Sequence, residues 1–119
     1  VPLHASASGK IFLGYMARRG RDRFLAQAPL IAHTPNTLVE PARIVADLAA
    51  VRRNGFAVDN GEFLRGVSCV AVPVRNGESK VVAAVAVTAP EARASLDQMM
   101  ECLPAMRSAA QALGATLDW

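Results

Sequence analysis

Aromatic residues are scarce in this 119-residue chain: four phenylalanines, one tyrosine and one tryptophan make up 5% of it. That scarcity decides how the net charge of +3 is read. The excess is local, in Arg18, Arg19, Arg21 and Arg23. With no aromatic platform or helix-turn-helix pattern beside it, the cluster reads as a solvated helix end and not as a nucleic-acid surface. Cysteine is equally sparse. Cys69 and Cys102 stand on unrelated stretches without metal-ligand spacing, so both read as reduced thiols of a cytoplasmic protein, with no metal and no cofactor implied. No apolar run approaches the roughly 20 residues that a membrane-crossing helix needs. The start of the chain lacks the basic and apolar regions of a secretory leader. It also lacks an initiator methionine: Val1-Pro2-Leu3-His4 already lies inside a patterned segment, which reads as an excised fragment.

Catalytic signatures are missing too. Ser6-Ala7-Ser8-Gly9-Lys10 is too short and too poor in glycine for a phosphate loop. His4, His33, Ser6, Ser8 and Cys69 could supply a nucleophile and a base, but no nucleophile elbow or metal spacing ties them together. Asp59 and Glu62 could pair as carboxylates, although three residues apart in a turn is a common spacing. No catalytic residue is nominated, and the chain reads as a non-enzyme.

What is present is a globular pattern, 52% hydrophobic and 19% charged, that makes residues 1–119 one domain or part of one. Residues 2–9 form a turn feeding a helix, capped by Ser6 or Ser8, in which Ile11, Phe12, Tyr15 and Met16 recur at helical spacing and Gly20 is the stop. A short helix over Asp22 to Ala28 follows, then a loop from Pro29 to Asn36. Pro41 opens a helix whose face carries Ile44, Leu48 and Val51, and Asn54-Gly55 ends it. Phe56 to Asp59 alternates as a short strand. Residues 67–74 and 80–88 make a hairpin about an even-length turn at Asn76-Gly77. Alternation puts Val70, Val72, Val74, Val85 and Val87 on one face, and Cys69, Ala71, Ala84, Ala86 and Thr88 on the other. Pro73 cannot donate to a ladder, so its amide side should face outward. Pro90 starts a last helix with the stripe Leu96, Met99, Met100, Leu103, Met106, Ala110 and Leu113, kinked or split at Pro104 and ended by Gly114. The class is α+β, with an antiparallel sheet flanked by helices.

The bulky face of the hairpin wants a helix, whereas the small face leaves room. Two readings of that room stand side by side. In one, the small residues accommodate a close-packed helix. In the other, they floor a ligand pocket completed by the helix start at Ala7, Ser8 and Gly9, where free N–H groups and the positive end of the helix dipole favour an anion. Asp59 and Thr88 then add polar groups, with Cys69, Ala71, Ala84 and Ala86 as an apolar floor. A third reading makes the methionines of the last helix an assembly surface, against the commoner role of methionine in cores.

Three segments resemble the effector-binding domain of the IclR family of bacterial transcriptional regulators. They are PLHASASGK at 2–10, GFAVDNGEFLRGVSCVAVPV at 55–74 and VVAAVAVTAP at 81–90. The resemblance spans nearly the whole chain. It implies a GAF-like antiparallel sheet whose pocket takes a small organic acid, lined from Ala7, Ser8, Asp59, Val67, Cys69, Ala71, Ala86 and Thr88. It also implies homodimers or homotetramers, and DNA binding only through a winged helix-turn-helix upstream of these residues. The family's first effector-domain strands would lie upstream too, leaving the sheet of this partial domain with a raw edge. Ala86 stands where some members carry serine, which favours a larger, aromatic acid over a small keto-acid. The alternative is an oligomerisation module with no functional pocket.

Overall fold

A computed structural model describes residues 2–119. Its elements run α1 (Ala7–Tyr15), α2 (Arg18–Gln27), α3 (Pro41–Asn54), β1 (Ala57–Asn60), β2 (Val67–Arg75), β3 (Val81–Pro90), α4 (Leu96–Met100) and α5 (Leu103–Gly114). The strands form one antiparallel sheet in the order β1-β2-β3. The α+β expectation holds.

The two faces of the hairpin are as alternation requires. Val70 lies opposite Val87 and Val72 opposite Val85, while Ala71 lies opposite Ala86 and Cys69 opposite Thr88. The valine face packs on α4 and α5 through Met99, Leu103, Met106 and Ala110. Met99 and Met106 are thereby buried within the chain and are not an assembly surface. On the small face Ala71 meets Ala7 and Ile11 of α1, with Val51 of α3 and Ala57 of β1 beside them. Leu13, Leu25, Ile44 and Leu48 tie α1, α2 and α3 into a third cluster. The sheet is thus a middle layer between two helical ones.

Local expectations are corrected at the hairpin loop, at Gly20 and at Pro90. The hairpin loop is not an even-length turn: it has five residues, 76–80, and a bulge between Val74 and Arg75 absorbs the odd one. The faces therefore still match. Gly77 does not carry the turn; Ser79 does, at φ 62°. Gly20 does not stop the first helix, because α1 ends at Tyr15 and Gly20 lies inside α2. The arginine cluster accordingly stands at the N-terminal end of α2, with Arg18, Arg19 and Arg23 exposed. Pro90 closes β3 and does not open a helix. The last helix starts at Leu96 behind a capping box of Ser95 and Gln98, and it splits before Pro104, which sits in the first turn of α5. Gly114 is the last residue of α5, as expected, and it also serves packing, because a Cβ there would overlap the Arg75 carbonyl oxygen.

Elsewhere the local signals hold. Ser6 caps α1, Pro41 is the first residue of α3, and Gly55 ends α3 in the left-handed conformation at φ 75°. β1 reaches only to Ala57, opposite Ala71, so β2 beyond Ala71 has no strand on that side. Pro73 falls in this stretch and leaves no ladder donor missing. Among the described residues β3 is paired on one side only, along its ten residues.

Candidate functional site

The site is built from the start of α1 and one rung of the sheet. Ser6 is extended (φ −122°, ψ 148°), and its Oγ accepts from Gly9 N–H at 3.1 Å while donating to the Pro2 carbonyl at 2.7 Å. Lys10 N–H bonds back to the Ser6 carbonyl at 2.9 Å. Of the four N–H groups that open this helix, those of Ala7 and Ser8 have no partner among the described residues. The rung is Asp59, Cys69 and Thr88, register partners on three adjacent strands. Between helix start and rung lies a hollow of about 180 Å³. Ser6, Ala7 and Ser8 line one side of it, Asp59, Cys69 and Thr88 its floor, and Phe63, Leu64, Val67 and Ala86 its apolar walls.

Seven of the nine expected residues therefore converge: Ala7, Ser8, Asp59, Val67, Cys69, Ala86 and Thr88. Gly9 and Ala71 do not. The N–H of Gly9 is spent on the cap, and its lack of a side chain serves packing, since a Cβ would stand 2.6 Å from Leu3 Cα. Ala71 is fully buried beneath α1, so the close-packed-helix reading applies there, and the hollow lies one rung further along.

Electrostatics restrict what the hollow can do. Asp59 is buried and accepts from Glu62 N–H at 2.6 Å. Burial raises its carboxyl above the ordinary aspartate range, opposed by that hydrogen bond and by the charge of Lys10. Burial also raises the Cys69 thiol, against a hydrogen bond donated by Thr88 Oγ1 at 3.2 Å. A thiol shifted upward is protonated at neutral pH and is a poor nucleophile. No lining residue is a cation. An anion in this hollow is met by neutral donors alone: the Ala7 and Ser8 N–H groups with the dipole behind them, and the hydroxyls of Ser8 and Thr88. Among the described residues no cluster has the makings of a metal site.

Sequence reasoning missed Phe63 and Leu64, which belong to the β1–β2 loop. The visible signal is an apolar pair in a turn between Gly61 and Gly66, both at positive φ. It also missed Lys10. Only 2% exposed, Lys10 reaches away from the hollow to the Val58 carbonyl and Glu62 Oε1, both at 2.8 Å, and to Asp47 Oδ2 at 2.8 Å. It fastens α1 to the loop that carries Phe63 and Leu64. Burial raises Glu62 as well, with Lys10 opposing. Asp59 and Glu62 are consequently not a carboxylate pair: the Glu62 backbone serves Asp59, and its carboxylate serves Lys10. The two histidines are structural. His4 is buried and pairs with the Ile31 carbonyl at 2.9 Å, and exposed His33 meets the edge of the Phe63 ring at 5.2 Å.

Known proteins share the family and the fold. Residues 1–115 match the family model for the bacterial transcriptional regulator IclR C-terminal domain. The transcriptional regulator SauR of Cupriavidus necator is 40% identical over 116 residues, which cover 98% of this chain and 46% of SauR. The crystal structure of an IclR transcriptional regulator from Silicibacter sp. TM1040 superposes with a TM-score of 0.86 at 40% identity, over 96% of this chain and 44% of that one. The inducer-binding domain of PobR from Acinetobacter, a double mutant in complex with 3-hydroxybenzoic acid, superposes with a TM-score of 0.94 at 26% identity, over 98% of this chain and 67% of that one. The chain spans about half the length of the curated relatives it matches. No described helix is long and apolar enough to cross a membrane. On the family match and these identities, the chain belongs to the IclR family of bacterial transcriptional regulators and carries its C-terminal domain.

Proposed function

We propose that the hollow is the effector site of a bacterial transcriptional regulator. A small organic acid bound there changes DNA binding by the full-length protein, and the chain catalyses no reaction. One observation carries the reading. Two unpartnered N–H groups, on Ala7 and Ser8, face a rung of Asp59, Cys69 and Thr88 across an otherwise apolar space of about 180 Å³. The effector carboxylate docks on Ala7 and Ser8, two of the three helix-start residues expected from the pattern. Asp59 and Thr88 orient its polar groups. Ala86, Phe63 and Leu64 favour a flat, apolar body, in keeping with an aromatic acid in the PobR domain. DNA is reached through an N-terminal winged helix-turn-helix outside these residues. The regulator works in the cytoplasm as a dimer or tetramer, whose equilibrium the ligand shifts by about 1–3 kcal/mol.

Thermal-shift screening of the full-length protein against pyruvate, glyoxylate, benzoate and 3-hydroxybenzoate tests this. An acid at a hundred times its Kd stabilises by about 2.7 kcal/mol, and Ala86→Phe, which fills the hollow, removes the shift. A panel without a stabilising acid, or stabilisation that survives Ala86→Phe, refutes it.

A further inference from the structure

A second, larger space lies at the other end of α1. It is a groove of about 470 Å³ where β2, beyond Ala71, has lost its β1 neighbour. Val72 and Ala110 form its floor, Tyr15 and Gln111 stand on opposite sides, and two guanidiniums, Arg75 and Arg107, line it with no carboxylate. The size falls in the range of small-molecule sites. Both arginines are held by neutral partners: Arg75 Nη1 donates to the Ser79 carbonyl at 2.9 Å, and Arg107 Nη2 to the Asn54 carbonyl at 3.2 Å. The Arg75 guanidinium also lies 5.0 Å from the centre of the Tyr15 ring, with Arg52 at 5.8 Å from the same ring. Among the described residues the salt bridges are those of Lys10 with Asp47 and Glu62 and of Arg21 with Asp22. Arg75 and Arg107 are thus exposed, each steered by one backbone carbonyl and without a salt bridge among the described residues, beside an aromatic ring and an apolar floor.

We infer that this groove is a second ligand site, for an organic anion with a flat apolar body. Its anionic group bridges Arg75 and Arg107, and its body lies on Val72 and Ala110 against Tyr15. Guanidiniums already positioned by carbonyls lose little freedom on binding, and each keeps further N–H donors for an anion. The site is separate from the hollow. The hollow uses the first residues of α1 and the groove its last, about 12 Å away along a helix rising about 1.5 Å per residue.

The test uses the full-length regulator carrying Ala86→Phe, so that the hollow is filled and the two sites fail separately. Thr88→Leu serves the same end if Ala86→Phe does not fold. Isothermal titration with 2-naphthoate is expected to give saturable binding. Adding Arg107→Gln weakens it at least about tenfold, as loss of a charge-assisted hydrogen bond requires. Arg75→Gln does the same from the other wall and stands in should Arg107→Gln unfold, with circular dichroism melts confirming each fold. Neutral 2-naphthamide binds at least about tenfold more weakly than the acid. Absence of saturable binding up to the solubility of 2-naphthoate, affinity unchanged in folded arginine variants, or equal binding of the amide overturns the inference.

Discussion

Removing the ammonium of Lys10 tests how the two walls of the hollow are held together. Lys10→Met keeps the length and apolar volume of the stem and deletes only the charge and its donors. The side chains of Lys10 and Glu62 are 3% and 8% exposed, whereas Asp47 is 34% exposed. Without Lys10, Glu62 and the Val58 carbonyl lose a donor inside the protein, and Asp47 Oδ2 is also stranded, buried although its side chain as a whole is 34% exposed. Breaking a buried ion pair from one side costs about 3–5 kcal/mol. Asp47, the more exposed carboxylate, adds less than Glu62. The expected loss is therefore about 3–5 kcal/mol at neutral pH. Equilibrium unfolding in urea measures it as a lower midpoint at unchanged slope. The double change Lys10→Met with Glu62→Gln should recover part of that loss, since the stranded charge is gone, giving a coupling above about 1 kcal/mol. In the single variant the Glu62 carboxyl, already raised by burial, loses its main opposing charge. Its stability should climb as pH falls through the raised folded value. A loss under about 1 kcal/mol, or strict additivity in the double variant, would show that Lys10 is not the fastener the distances describe.

Three further outcomes follow from individual contacts. Gly114→Ala forces a Cβ onto the Arg75 carbonyl oxygen, and the shift of α5 should cost about 1–3 kcal/mol in urea melts; an unchanged midpoint contradicts the close approach. Ser6→Ala uncaps α1 and should cost about 1 kcal/mol, read as a thermal midpoint lower by a few degrees, with no change expected from Ser8→Ala if Ser6 alone is the cap. Asp59 has a folded carboxyl raised by burial, so its stabilising influence is complete below the ordinary value of about 3.9 and is lost as pH rises through the folded value. Asp59→Asn should flatten the stability–pH profile over that window, and a profile identical to that of the parent chain would refute the assignment.

The hairpin was readable because strand alternation is exact in period. Val70 with Val87 and Cys69 with Thr88 follow from counting, and even the misjudged loop length left the faces intact because a bulge restored the count. The last helices were harder. The stripe from Leu96 to Leu113 is continuous, and the capping box at Ser95 and Gln98 that starts it anew is two residues within that pattern. Gly20, Gly9 and Gly114 show a common difficulty: a glycine permits a helix stop, a close contact or a ligand, and only the neighbours in space decide which. The rung of Asp59, Cys69 and Thr88 was visible as one face. Phe63 and Leu64 were not, since a loop has no period to read. Lys10 and Glu62 are 52 positions apart and no local spacing links them.

The unpartnered side of β3 has a consequence for anyone handling this chain alone. Val81–Pro90 contains no charged residue, and its nearest charges are Lys80 and Glu91 at either end. Charges and prolines along an edge normally discourage strand addition, and here they are confined to the tips. The outward-facing half of the strand's backbone groups, without a central gatekeeper, invites an extended chain to dock. Concentration and time in solution thus become experimental variables in their own right. A lysine placed at the exposed Ala86 would defend the edge by intruding on the hollow, so solubility and ligand sensing compete for the same position on the strand.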